Sequence, residues 1–92
     1  MVTITFDKSQ NRSVAHDMTT EIGECTFVAK GNVWTINHTF VDKAYGGQGI
    51  ARQLVDKIAD HARLEGIKLA ATCPYVVNLF DKTSDFDDVL AD

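Results

Sequence analysis

The sequence predicts an α+β fold in one domain over residues 1–92: a mostly antiparallel sheet of about five strands, a β-α-β crossover helix and a short second helix. Three observations predict it. Residues 1–41 fall into four short strand-like runs separated by turn residues, the pattern of an antiparallel meander. Residues 48–65 then carry apolar side chains at helical spacing. Residues 67–72 form a short apolar run after that helix, so strand, helix and strand follow in the order of a parallel crossover.

The elements follow in order. Val2, Ile4 and Phe6 alternate with Thr3 and Thr5, the signature of a half-buried strand. Residues 8–11 read as a turn, 12–16 as a second, weaker strand and 17–21 as a polar loop. The third strand is expected over 24–29. Lys30-Gly31-Asn32 has hairpin chemistry, because Gly and Asn tolerate positive φ. The fourth strand runs over 33–41. Strict alternation puts Trp34, Ile36, His38 and Phe40 on one face and Val33, Thr35, Asn37, Thr39 and Val41 on the other, so His38 is expected among large apolar side chains.

On the long helix, Ile50, Leu54, Val55, Ile58, Ala59 and Ala62 share one half of the wheel, without aromatics, as on a surface that packs on a sheet. Its length is roughly 27 Å at 1.5 Å per residue, enough to cross a small sheet. Gly66 is placed as its C-terminal cap. The nearly unbroken apolar run over 67–72 suits a strand covered on both faces. Pro74 fits the first turn of a second helix over 74–82. Beyond it, residues 85–90 either dock through Phe86, Val89 and Leu90 or fray.

Composition narrows the function classes. The net charge is −4, and the tail holds four of the thirteen acids (Asp85, Asp87, Asp88 and Asp92), which leaves nine acids against nine bases before it. No basic stripe is present, so nucleic acid is not an expected partner. No segment reaches the ~20 apolar residues of a membrane span. The first residues lack the basic and apolar regions of a signal peptide, so a cytoplasmic protein is expected, with no membrane partner. Cys25 and Cys73 are too few for a disulfide scaffold, and His16, His38 and His61 lack metal-ligand spacing, so no metal is expected.

The stretch that draws attention joins the fourth strand to the long helix. Gly46, Gly47 and Gly49 make a glycine-rich turn that opens into a helix, where unpaired backbone N–H groups meet a positive dipole end. Such a turn can take phosphate, and it can equally be a plain turn. No Lys-Ser/Thr pair makes it a Walker loop, and no full Gly-x-Gly-x-x-Gly is present. Ligands of strand–helix–strand units bind beyond the carboxyl ends of the strands. Those ends are Val41 and Cys73, so the loop, His38 and Cys73 belong to one neighbourhood.

Gly47-Gln48-Gly49-Ile50-Ala51 followed by Arg52-Gln53-Leu54 resembles the acyl-CoA pyrophosphate loop of the GNAT acetyltransferase superfamily. His38-Thr39-Phe40-Val41, the glycine loop and Thr72-Cys73-Pro74-Tyr75 together resemble the small single-domain GNAT-like proteins, over about residues 23–90. The loop's usual first Arg or Gln falls on Gly46, so one side-chain contact to cofactor phosphates is missing and backbone contacts remain.

The resemblance implies a minimal GNAT fold and an N-acyltransferase that moves acetyl from acetyl-CoA to an amine on a protein, a peptide or a small molecule. On it, the N–H groups of Gly47, Gln48, Gly49, Ile50 and Ala51, with Arg52, hold the pyrophosphate, and the backbone of Phe40 and Val41 lines the pantetheine. His38 is the candidate base, since histidine exchanges protons near neutral pH, with Glu24 as a second candidate. Three roles are open to Cys73 at its helix N-terminus: acyl acceptor, proton donor to the leaving thiolate, or disulfide partner of CoA. A fourth is plain packing. For His38 the plain alternative is a core or edge histidine held by one hydrogen bond. For the whole chain it is a non-catalytic CoA-binding or interaction module on a reduced GNAT scaffold.

Overall fold

Three tight connections fix the order of the strands, and each turns on one residue in the left-handed region: Asn11 (φ 52°), Met18 (φ 57°) and Gly31 (φ 59°). In the computed structural model, which describes residues 1–92, β1 (Val2–Asp7), β2 (Arg12–Asp17), β3 (Thr20–Lys30) and β4 (Val33–Val41) form an antiparallel meander. Helix α1 (Ile50–Glu65) crosses back, β5 (Lys68–Ala71) pairs parallel to β4, and α2 (Pro74–Lys82) follows. The sheet order is β1-β2-β3-β4-β5. The polar loop expected over 17–21 is corrected to a turn at Met18 and Thr19, with β3 starting at Thr20. Asn and Gly announce a left-handed turn, whereas methionine rarely adopts one, so the sequence carries no signal for it.

Helix α1 buries the six residues its periodicity selects: Ile50, Leu54, Val55, Ile58, Ala59 and Ala62. They meet Ala15, Cys25, Phe27, Trp34 and Ile36 of the sheet, with Val76 and Leu79 of α2 and Phe86 and Val89 of the tail completing one core. Burying a Leu or Ile there stabilises by roughly 2 kcal/mol, and its removal costs more because a cavity remains. Ser13, the one buried polar side chain, donates to the Leu54 carbonyl at 2.8 Å and so ties β2 to the middle of the helix. The other face of the sheet, with Thr3, Thr5, His38 and Phe40, is open to solvent.

The helix begins at Ile50 rather than at residue 48, because Gly49 sits at φ 74° as its cap. The tail docks rather than frays: Leu69 N–H donates to the Val89 carbonyl and Ala91 N–H to the Leu69 carbonyl, both at 2.7 Å. Of the apolar run expected to be covered on both faces, only the helix side is covered: Leu69 is buried, while Lys68 is exposed and Ala70 half-buried.

One irregularity reorganises the end of β4. Thr26 faces His38 but Phe27 faces Ile36, so Asn37 is an extra residue in β4, a β-bulge. A bulge shifts the alternation by one. Trp34 and Ile36 point into the core before it, and Thr39 and Val41 point that way after it. The expectation of His38 among apolar side chains is therefore corrected: His38 and Phe40 stand on the open face, His38 with a 54% exposed side chain and Phe40 54% exposed.

Candidate active site

Backbone geometry builds this site first. The N–H groups of Thr72 and Cys73 both converge on the Ile36 carbonyl, at 2.9 and 3.2 Å. There the parallel pairing ends. The chain beyond Cys73 turns into α2, while β4 continues to Val41, and the two diverge as a fork.

Register says which backbone groups face the fork. Asp42 N–H donates to the Ile22 carbonyl at 2.8 Å, and Gly23 faces Val41, so Phe40 and His38 spend their N–H and C=O groups on β3. Those of Thr39 and Val41 point the other way, into the fork, with no strand beside them. This corrects the expectation for Phe40, whose backbone is committed to the ladder; Val41 keeps its place and Thr39 joins it. Gly23 allows the close pairing behind this edge, since a Cβ there would lie 2.8 Å from the Phe40 carbonyl oxygen.

From Val41 the edge leads to the glycine loop. Asp42 accepts from Ala44 N–H at 2.9 Å and starts a single 3-10 turn, Lys43–Tyr45. Tyr45 O–H donates to Asp17 at 2.5 Å and roots the loop on the β2–β3 turn. Gly47 (φ 78°) and Gly49 (φ 74°) then take left-handed conformations that admit glycine without strain. Intrahelical bonding starts with Gln53 N–H on the Gly49 carbonyl at 3.2 Å, so the N–H groups of Ile50, Ala51 and Arg52 are open. No acidic residue lies in that first turn and no side chain caps it. A cleft of about 200 Å³ lies between Val41, the loop and Tyr75 of α2.

The Arg52 guanidinium also borders this cleft but is engaged. It binds Asp56 at 3.1 Å and Asp85 at 2.8 Å, and lies 4.9 Å from the Phe86 ring centroid. Its two carboxylates hold it further up in pKa than an ordinary arginine, Asp85 first. Of the expected loop residues, the geometry thus brings together the backbone of Gly47, Gln48, Gly49, Ile50 and Ala51, and leaves the Arg52 side chain to the tail.

Cys73 lies on the inner side of the fork, buried, at the N-terminus of α2. Its S–H donates to Thr39 Oγ1 at 3.7 Å, and the Thr39 O–H donates to Cys25 Sγ at 3.5 Å. Burial pushes the Cys25 thiol up to about 11, so it stays protonated. His38 lies across the sheet from them, on the open face. Its Nε2 is 3.6 Å from Glu24 Oε2, and the other Glu24 oxygen accepts from Arg12 at 2.9 Å. Arg12 in turn grips Glu21 through two bonds of 2.9 and 3.1 Å. Thr39, Tyr45, Tyr75 and Arg12 were given no role from the sequence; the motifs His38-Thr39-Phe40-Val41 and Thr72-Cys73-Pro74-Tyr75 contain Thr39 and Tyr75 without assigning them one. No group of three or more His, Cys, Asp or Glu is placed to hold a metal. No helix is long and apolar enough to cross a membrane.

A family model described as GCN5-related N-acetyl-transferase matches residues 12–89. Among solved structures, a GCN5-like protein from Staphylococcus aureus is 26% identical, aligned over 97% of this chain and 87% of that one, with a TM-score of 0.75. The ribosomal-protein-S18-alanine N-acetyltransferase of Escherichia coli aligns at 15% identity over 83% of this chain and 52% of its own, with a TM-score of 0.67. The PaiA N-acetyltransferase of Thermoplasma acidophilum, in complex with coenzyme A, aligns at 14% identity over 77% and 48%, with a TM-score of 0.65. These last two likenesses concern the fold, and the chain spans about half the length of either enzyme. No curated protein matches the sequence.

Proposed function

We propose that this chain, which belongs to the GCN5-related N-acetyl-transferase family, moves an acetyl group from acetyl-CoA to an amine. One observation carries the reading: a free strand edge at Thr39 and Val41 leads without interruption to open N–H groups at the start of α1. Acetyl-CoA, when bound, supplies an acetyl group activated as a thioester. The residues fit such a molecule. The N–H groups of Ile50, Ala51 and Arg52 offer donors to its phosphates, and Gly49 carries no side chain to obstruct them. The backbone of Thr39 and Val41 offers donors and acceptors to its amide-bearing arm, as a strand edge does to an added strand.

His38 acts as the base. It takes the proton from the acceptor ammonium, Glu24 stabilises the resulting imidazolium, and Arg12 holds Glu24 in place. The freed amine nitrogen would bond to the acyl carbon as the carbon–sulfur bond breaks, and the second proton the nitrogen gives up balances the one the thiolate takes. Cys73 on the inner side of the fork and Tyr75 in the cleft are the side chains that would pass it on. Cys73 is buried and donates to Thr39, which supports direct transfer over an acyl-cysteine route. The acceptor arrives on the open face, where His38 stands. We place this activity in the cytoplasm.

The test is consumption of acetyl-CoA with a panel of small amines and lysine peptides. Release of CoA that depends on the amine and fails in His38→Gln supports the reading; binding of CoA without release overturns it. That second outcome fits a non-catalytic CoA-binding module, favoured by Gly46 in the loop and by an Arg52 already paired with Asp56 and Asp85.

A further inference from the structure

The two edges of the sheet are built differently. β5 is four residues long, begins on Lys68 and has its outer edge engaged by residues 89–91. β1 is six residues long, with no proline and no charge before Asp7, and its pairing with β2 runs without a bulge. Met18 N–H donates to the Met1 carbonyl, and Val2 faces Asp17. The alternation of an antiparallel ladder then turns the backbone of Thr3, Thr5 and Asp7 into β2 and leaves that of Val2, Ile4 and Phe6 aimed outwards. Folded proteins blunt such edges with charges, prolines, bulges or a cover. Residues 2–6 of β1 have none of these.

This edge is complementary to itself. Val2, Ile4 and Phe6 lie half-buried toward the helix, and Thr3 and Thr5 are exposed on the open face. A second copy running antiparallel, with Ile4 opposite Ile4, sets Val2 opposite Phe6 and Thr3 opposite Thr5. Apolar residues then meet apolar ones and threonine meets threonine, and a slip of one residue mismatches every pair. The three outward-facing pairs exchange roughly six backbone hydrogen bonds. The groove above the edge repeats the pattern. It lies between Val2 and Ile4 of β1 and Gln53, Asp56, Lys57 and Asp60 of α1. A two-fold axis through Ile4 and normal to the sheet keeps both helices on one side and brings groove to groove with α1 reversed.

We propose that β1 pairs with β1 of a second copy, joining two five-stranded sheets into one continuous sheet about a two-fold axis. An extended segment of another protein would find the same backbone groups, whereas a second copy also sets apolar against apolar and threonine against threonine in one two-fold register, and so a second copy is the occupant. Sedimentation velocity of the full chain at micromolar concentration tests it. The expected species is a dimer of about 20 kDa, twice the 10.2 kDa chain. Thr3→Lys with Thr5→Lys sets like charges opposite one another and weakens association by about tenfold or more. Thr3→Lys with Thr5→Glu sets opposite charges there and restores it. Both positions are exposed, and circular dichroism with an unchanged melting profile at low concentration shows the monomer intact. A wild-type chain that sediments as a monomer overturns the proposal. So does a dimer indifferent to the two lysines, which would lie on another surface.

Discussion

The two halves of β4 are one strand with two jobs. From Val33 to Ile36 it is paired on both edges, to β3 and to β5, and its inward side chains Trp34 and Ile36 are buried. From Thr39 to Val41 it is paired on one edge only, and the other faces the fork. Chain composition does not distinguish the halves; both mix apolar or aromatic residues with threonine. The halves meet at the bulge on Asn37, which takes up one residue outside the pairing and bends the strand. Thr39 and Val41, rather than His38 and Phe40, therefore follow Trp34 and Ile36 on the inner face with their backbone toward the fork, and His38 stands on the open face beside Glu24. A binding edge and a base are thus obtained on opposite sides of one strand from a one-residue shift in register.

Straightening β4 at the bulge should have the largest effect on binding. Deletion of Asn37 leaves His38 and Phe40 outward and Thr39 and Val41 inward, because Ile36 and His38 then alternate regularly, but it removes the bend that a bulge puts into β4, and we expect loss of CoA binding with a change of only about 1 kcal/mol in stability. Asn37→Gly keeps the extra residue and should stay near wild type in both, as read by thermal melts and calorimetric titration. Equal behaviour of the deletion and the glycine variant would show that the bulge does not define the fork.

The open-face half is probed next. His38→Gln should lower turnover by ~10²–10⁴-fold, as loss of a general base does. CoA affinity should hardly change, since His38 spends its backbone on β3 and its side chain stands on the open face beside Glu24, apart from the phosphate loop. Unaltered turnover would return the base to Glu24 or to water.

On the fork side, Gly49→Val should weaken CoA binding by about tenfold or more with a folded circular-dichroism spectrum. A Cβ there meets no protein atom within 4 Å, so the main cost in the free chain is that of φ 74°, about 1–2 kcal/mol. Unchanged affinity in calorimetry would put the phosphates elsewhere.

The smallest effect separates the two thiols that share Thr39. Cys25 is fully buried and its thiol is pushed up to about 11 by burial, so the folded state keeps a proton that the unfolded chain gives up near 9. Stability should therefore fall as pH rises from about 9 to about 11, by about 2 kcal/mol, and Cys25→Ala should flatten that slope. Near neutral pH, alkylation should reach Cys73 at the fork before Cys25, and bound CoA should slow it. Protection of neither thiol by CoA would detach Cys73 from the site.

Much of this was legible in the sequence because it rests on local period and turn chemistry. The six buried residues of α1, the cap at Gly66, the hairpin at Gly31 and the loop between β4 and α1 all follow from spacing. The bulge was not, because alternation through Asn37 looks as regular as alternation that skips it. The Arg12–Glu24–His38 relay needs the register of β2 on β3 and of β3 on β4. The engagement of Arg52 by Asp85 spans thirty-three residues that no local pattern links. Met18 turns left-handed without a residue type that announces it.

The most direct measurement is amide hydrogen exchange at Thr39, Phe40 and Val41 with and without CoA. Phe40 N–H is already bonded to β3 and should exchange slowly in both states. Thr39 and Val41 N–H have no strand partner and should exchange faster in the free protein, then become protected when CoA binds, together with Ile50 and Ala51. CoA that binds while Thr39 and Val41 keep their free exchange rates would contradict the fork as the cofactor's seat.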